Sequence, residues 1–298
     1  MRPDLILIPS AYRSEFLWLV LEHIAQAEGG KEKEIWISQD RRAKDDARQL
    51  ADLPDIEATV RAFQNSFSGL HYSEHKAHHP NGNMSNFLEL YKKAFNTTDV
   101  RYVYLIEDDV LVSKDFFRWH EAMQGRKPYF CTIGWHCIRN PKVKASNDAT
   151  AYIESRVDYS SIGVCWKREK LETIVRHANE AYYTQMNVYL RQIFPNSPIP
   201  WNQWGEQAGM ILRVLLDRPD LTAWPSAPRC AHIGIHGYHR RAGFRFGGNL
   251  ETRVRLLREA SKTTEGLTKL CRDPFDDVAA LPILSDWRPE DLHCVQEF

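Results

Sequence analysis

Three consecutive carboxylates, Glu107-Asp108-Asp109, stand directly behind the β-branched and aromatic run Val103-Tyr104-Leu105-Ile106. A buried strand ending in acids is how open α/β sheets present metal and ligand groups at their carboxyl edge. Adjacent carboxylates repel one another unless a cation or strong donors neutralise them, so the triplet suits a divalent metal; a solvated acidic turn fits the same three residues. Further along, His236 stands in a cluster with His232 and His239, and Gly234 and Gly237 flank the Ile235-His236 pair. Glycines let backbone approach a ligand closely, and manganese accepts imidazole beside carboxylates, although a structural histidine fits that cluster as well. Glu206, just after Gly205 at an expected helix start, is a carboxylate able to take a proton as general base, or an ordinary first-turn acid favoured by the helix dipole.

Such groups need strands and helices to aim them, and the first third of the chain supplies an alternating pattern. Leu5-Ile6-Leu7-Ile8 is a short apolar run broken by Pro9 to Arg13, and Phe16, Leu17, Val20, Leu21 and Ile24 then recur at helical spacing. Glu34 to Ser38 forms the next strand, ending at Gln39-Asp40. Alternation of this kind predicts parallel strands with right-handed crossovers and functional groups at the strand carboxyl ends, here Ser10, Arg13, Asp40 and the acidic triplet. Asn83 to Asn86 opens a helix with Phe87, Leu88, Tyr91, Ala94 and Phe95 on one face. The polar interval Gly69 to Asn83 is expected to be a loop, either over the site or an ordinary surface connection.

The second half is looser. Cys131 to Trp135 and Tyr159 to Trp166 frame a polar stretch from Asn140 to Asp148, and a helix is expected from about Arg168 to Ala181. Pro200-Trp201-Asn202-Gln203-Trp204-Gly205-Glu206-Gln207 then leads into an amphipathic helix from Met210 to Leu216. Neither repeats nor low-complexity linkers occur, so one domain over residues 1–245 is expected, in two halves that meet at about residue 118, with a helical, acidic extension over 246–298.

Composition narrows the class. The chain has 298 residues, of which 43% are hydrophobic and 26% charged, enough for one large α/β domain. Lys plus Arg and Asp plus Glu are both 39, so no global field marks a nucleic-acid or membrane-surface protein. The six cysteines are scattered without a CxxC pair, against a structural zinc or thioredoxin-like motif and in keeping with reduced thiols. The apolar stretch Phe16 to Ala27 is interrupted by Glu22 and His23, so neither a signal peptide nor a membrane span is expected, and the location expected is cytoplasmic.

The order of these features resembles the GT-A glycosyltransferases, and within them the eukaryotic enzymes that add N-acetylglucosamine to the mannose core of N-glycans. Five blocks correspond in order: Ile8 to Arg13, Ile35 to Asp40, Val103 to Phe117, Ile162 to Trp166, and Ile235-His236-Gly237. The resemblance implies a Rossmann-like α/β sandwich around a mostly parallel sheet, a nucleotide-diphosphate sugar donor with a UDP-sugar favoured, and Mn²⁺ or Mg²⁺. It implies Asp109 as the direct metal ligand, Glu107 and Asp108 acting through water or on the ribose, and His236 on the metal or diphosphate. It sets Arg13 and Asp40 against the nucleobase, with Ser10 nearby. The bound cation would act as Lewis acid on the diphosphate leaving group.

Inverting transfer needs a base for the acceptor hydroxyl. The similar enzymes carry acids between two tryptophans, where this chain has Asn202 and Gln203, whose amides accept no proton at neutral pH. Glu206 is the nearest carboxylate and takes that assignment. The acceptor stays open between a glycan and a hydroxymethylated DNA base, the latter requiring base flipping. Trp135, Trp166, Trp201 and Trp204 suit stacking on sugars or bases, or the core, where at least two of them are expected. From Arg229 to Arg258 the chain carries Arg229, Arg240, Arg241, Arg245, Arg253, Arg255 and Arg258 against the single acid Glu251. The Arg240 to Arg245 part reads as a phosphate-binding loop, for the donor diphosphate or for a polyanion. Two other classes compete: a metal-dependent nucleotidyltransferase, disfavoured by the absence of glycine between Pro9 and Ser14, and a non-catalytic nucleotide-sugar binder.

Overall fold

The short apolar runs read from the sequence become adjacent strands of one sheet. In the computed structural model the described residues are 3–41, 50–76, 82–97, 99–136, 148–234, 246–270 and 287–297. Strand β1 (Leu5–Ser10) leads to helix α1 (Ser14–Gln26), then β2 (Glu34–Arg41), α2 (Leu53–Phe63), β3 (Gly69–Lys76), α3 (Gly82–Phe95), β4 (Tyr102–Leu105) and the short β5 (Val110–Val112). The chain continues through α4 (Phe116–Arg126), β6 (Cys131–Ile133), β7 (Ala151–Ser155), β8 (Val164–Lys167), α5 (Glu172–Val175), α6 (Glu180–Thr184), α7 (Met186–Ile193) and α8 (Gln207–Leu216). It ends with β9 (Thr222–Pro225), β10 (Cys230–His232), α9 (Leu250–Ala260), α10 (Thr264–Leu270) and β11 (His293–Glu297).

Nine strands form one sheet in the order β11-β7-β9-β6-β8-β4-β1-β2-β3, and β10 pairs with β5 in a separate two-stranded sheet. The run β4-β1-β2-β3 is parallel throughout, as is β11 with β7 and β6 with β9; only β8 and the β7–β9 pair introduce antiparallel contacts. The mixed α/β class with a large, mostly parallel sheet is the one expected. All four residues of β1 from Leu5 to Ile8 are buried, as a strand covered on both faces requires. Phe16, Leu17, Val20, Leu21 and Ile24 of α1 are buried in the same hydrophobic core as this sheet, each contributing about 1.5–3 kcal/mol of hydrophobic stabilisation.

Three local expectations are corrected. The interval Gly69 to Asn83 is not all loop: Gly69–Lys76 is strand β3, paired in register with β2 over eight residues. Its composition is polar because it is an edge strand with half of its residues exposed and only Leu70 buried, which is how natural sheets blunt an edge. The helix expected from Arg168 to Ala181 is broken into a 3₁₀ turn, the single turn α5, and α6, because Asn179 accepts a hydrogen bond from the Tyr182 amide and caps a new helix. Strand β2 continues beyond Ser38 to Arg41, so Gln39 and Asp40 lie within the strand and not at its end.

Beyond residue 245 the chain stays tied to the sheet and its helices. Helix α9 packs along α1. Its Arg253 donates to Asp52 Oδ1 at 3.0 Å, Asp55 Oδ2 at 2.5 Å and Ser14 Oγ at 2.9 Å, and the Ser14 amide in turn donates to Asp52 Oδ2. Strand β11 extends the sheet on β7, anchored by Trp287, whose Nε1 donates to the buried Asp115 at 2.7 Å. No helix of the described residues is long and apolar enough to cross a membrane.

Candidate active site

Strand β4 is parallel to β1, with Leu5 opposite Val103 and Leu7 opposite Leu105, so the residues after both strands emerge at the same carboxyl edge. There, Arg13 lies beside the acidic triplet. Its guanidinium forms a fork, Nη2 to Asp108 Oδ1 and Nη1 to Asp109 Oδ2 at 2.5 Å. The other oxygen of Asp108 accepts from the Ala11 amide at 2.8 Å and from Ser10 Oγ at 3.0 Å. Asp108 is therefore fully coordinated by the β1–α1 turn and acts as its anchor. Arg13 and Ser10, expected near a nucleobase, both sit on the carboxylates in this structure.

Asp109 differs from its neighbour. Its Oδ2 takes Arg13 and lies 3.2 Å from His232 Nε2, while Oδ1 is buried with no hydrogen-bond partner among the described residues. A buried acceptor without a donor is costly, and one on an ionised carboxylate especially so. Burial opposes ionisation of Asp109, but the Arg13 and His232 charges outweigh it and hold the carboxyl well below the ordinary range. Burial likewise lowers the His232 pKa, and the Asp109 charge more than reverses this, for a net rise. Glu107 is pushed up to about 7, first by burial and then by the charge of Asp109, with Ser161 Oγ donating to it at 3.0 Å.

His232 was not singled out from sequence. It is placed by β10, whose antiparallel pairing sets His232 opposite Val110, one residue beyond Asp109, and the Ile233 amide donates to the Asp109 carbonyl at 2.8 Å. The signal available was a histidine ending a short apolar run two residues before a glycine. That glycine, Gly234, lies so close that a Cβ there would fall 2.3 Å from Asp109 Oδ2. His236 and Arg240 lie outside the described residues.

The residues present fit a divalent cation of the hard, oxygen-preferring kind. Asp109 offers one unsatisfied carboxylate oxygen, and such cations are commonly held by one or two carboxylates with substrate phosphates completing the shell. No group of three His, Cys, Asp or Glu side chains forms a ready-made cage among the described residues.

Asp40 lies on the same edge, near the end of β2, buried and in register with His75. Glu206 lies elsewhere, exposed at the residue preceding α8, on a cleft of about 430 Å³ lined also by Tyr159, Met186, Trp204, Gly205 and Leu212. The two places are joined by one segment: Tyr159 lines the cleft and Ser161 bonds Glu107, and two residues of extended chain span at most about 7 Å. Trp135 and Trp166 are core residues, whereas Trp201 and Trp204 are 45% and 53% exposed.

Three arginines of the Arg229 to Arg258 interval are engaged by acids. Arg229 is buried with its Nε 3.0 Å from Asp115, Arg253 is held by Asp52 and Asp55, and Arg258 pairs with Glu22 at 2.8 Å. Of that stretch, Arg240, Arg241 and Arg245 lie outside the described residues, and Arg255 is exposed.

No protein-family profile matches the chain, and no curated protein is similar to it in sequence. Among solved structures, it is similar to Staphylococcus aureus TarS 1–349, at 12% identity and a TM-score of 0.45, covering 75% of this chain and 58% of that one. The same protein in complex with UDP-GlcNAc matches at 11% identity and a TM-score of 0.45, covering 84% and 61%. The chain thus spans about three-fifths of those TarS structures. An active-site mutant of LgtC, a galactosyltransferase, matches at 10% identity and a TM-score of 0.41, over 86% of this chain and 95% of that one.

Proposed function

We propose that this chain is a GT-A-type glycosyltransferase that moves a sugar from a nucleotide-diphosphate donor, a UDP-sugar first, to a hydroxyl acceptor with inversion. The observation that carries the reading is Asp109: a buried carboxylate at the carboxyl end of a parallel strand, ionised by Arg13 and His232, with one oxygen unsatisfied. That arrangement has a use where a cation and a diphosphate meet. A bound Mn²⁺ or Mg²⁺ would supply Lewis-acid stabilisation of the leaving diphosphate.

The chain's own residues account for the remainder. Arg13 keeps Asp108 and Asp109 in fixed orientation, and Ser10 and the Ala11 amide lock the turn beneath the donor. Ser161 holds Glu107 towards the same edge. In the transfer, the bond from the anomeric carbon to the diphosphate breaks as the acceptor oxygen bonds that carbon from the opposite face, and the acceptor proton passes to a carboxylate. Glu206 is the residue assigned to receive it, since Asn202 and Gln203 cannot.

Thermal melting with UDP, other nucleoside diphosphates and Mn²⁺ tests the reading. UDP with Mn²⁺ is expected to raise the melting temperature through linkage, and Asp109→Asn to abolish the rise. Donor turnover to free UDP, with full rate kept in Glu206→Gln, would remove Glu206 from the role. Binding of UDP-GlcNAc without any turnover, with or without acceptors, would make the chain a binder instead of an enzyme.

A further inference from the structure

The loop before α8 has a construction that the donor site does not require. Arg213, in the middle of α8, is buried, and its guanidinium is spent on carbonyl oxygens: Nη1 donates to Trp204 at 2.8 Å and Gly209 at 3.0 Å, and Nη2 to Pro200 at 2.8 Å and Gln203 at 2.7 Å. Three of those carbonyls belong to one loop. Tyr182 adds a fourth tie, its hydroxyl donating to the Gly205 carbonyl at 2.6 Å. Trp204 takes a left-handed backbone, φ 45°, which a tryptophan adopts only when its surroundings impose it. The loop is thus rigid from behind while its front shows two indoles, Trp201 and Trp204, to solvent.

The chemistry of that front selects its ligand. Residues 186–206 carry one cation, Arg191, and one anion, Glu206, so this segment is not itself the cationic patch that a polyanion or an anionic bilayer needs. Arg229, Arg253 and Arg258 are paired with Asp115, Asp52 and Glu22. Indole faces suit the C–H faces of a pyranose, and a carboxylate beside them suits hydroxyl donors. The cleft of about 430 Å³ lies within the range of small-molecule sites, and its Tyr159 wall adjoins the segment that reaches Glu107.

Resting on the transfer reading above, we infer that the cleft between Tyr159 and the Arg213-pinned loop is the acceptor subsite, and that it takes a neutral pyranose on Trp204 with Trp201 at its rim. The acceptor is then a saccharide.

Saturation-transfer NMR on the full chain tests this, with methyl β-N-acetylglucosaminide, methyl β-galactoside and methyl α-mannoside as probes, in the presence of UDP and Mn²⁺. At least one glycoside is expected to receive saturation. The signal should fall at least fivefold in Trp204→Ala and return in Trp204→Phe, which keeps a ring. No signal from any of the three with wild type, or an undiminished signal in Trp204→Ala, overturns the inference. So does Trp204-dependent binding of a hydroxymethylcytosine duplex, or of phosphatidylglycerol vesicles, in place of the glycosides. The UDP-dependent melting rise of wild type reads the donor site separately: a rise without glycoside signal leaves the transfer reading standing and removes this one, and glycoside signal without a rise does the reverse.

Discussion

Gly234 and Asp109 approach so closely that a single methyl group separates the observed site from a different one. A Cβ on Gly234 would lie 2.3 Å from Asp109 Oδ2 and 2.8 Å from His232 Nε2. Gly234→Ala must therefore push apart the ion pair that fixes Asp109. The expected result is a loss of about 1–3 kcal/mol of stability from overpacking, together with loss of the melting-temperature response to UDP and Mn²⁺. An alanine variant with an unchanged response would show that this contact does not shape the site.

Glu107 gives the site a pH signature in the metal-free protein. Its folded pKa, about 7, lies above the ordinary 4.5, so between these values the folded chain holds a proton that the unfolded chain has lost. Stability therefore falls as pH rises through that window. Glu107→Gln removes the titration, and its melting temperature relative to wild type is expected to be higher at pH 8 than at pH 5. Equal differences at the two pH values would exclude a raised Glu107 pKa.

His177 provides an opposite slope. Its Nε2 accepts from Arg176 Nε at 3.2 Å, which requires a neutral ring, and its Nδ1 faces Tyr189 Oη at 2.8 Å. Burial and then the Arg176 charge lower its pKa to about 4. Below about pH 6.5 the unfolded chain gains a proton that the folded chain refuses until about 4, so stability is lost on acidification across that window. His177→Gln should flatten the decline of melting temperature between pH 6.5 and 4; an unaltered decline would place its cause elsewhere.

The loop before α8 is open to a backbone test. A Cβ on Gly209 would fall 1.8 Å from the Trp204 carbonyl oxygen, so Gly209→Ala must displace that carbonyl from Arg213. The variant is expected to lose about 1–3 kcal/mol and to redshift the emission of exposed tryptophan. Chemical denaturation with fluorescence detection measures both, and a wild-type spectrum would show the loop undisturbed.

What the sequence disclosed follows from which forces were local. The triplet after Val103 to Ile106 was legible because a fully buried parallel strand leaves a continuous apolar run, and the edge where it ends is set by the alternation of strand and helix. The partners of that triplet were harder. The bond from Arg13 to the triplet is not legible in the sequence, since a 95-residue separation carries no local pattern. His232 was passed over because its position depends on the pairing of β10 with β5, two three-residue strands with no periodicity to read. Arg253 looked like part of a basic surface because the acids that hold it, Asp52 and Asp55, are about 200 residues away.

Strand β11 has a consequence for how the chain comes to be made. It pairs in parallel with β7, which precedes it by about 140 residues. At about 5–20 residues per second, a ribosome needs roughly 7–28 s to deliver β11 after β7 has emerged. Through that interval the outer rim of β7 presents unpaired amides and carbonyls, the template on which neighbouring nascent chains aggregate. The vulnerable moment for this protein is therefore during synthesis, and a chaperone that shields the Ala151–Ser155 rim would act on yield without touching the finished chain.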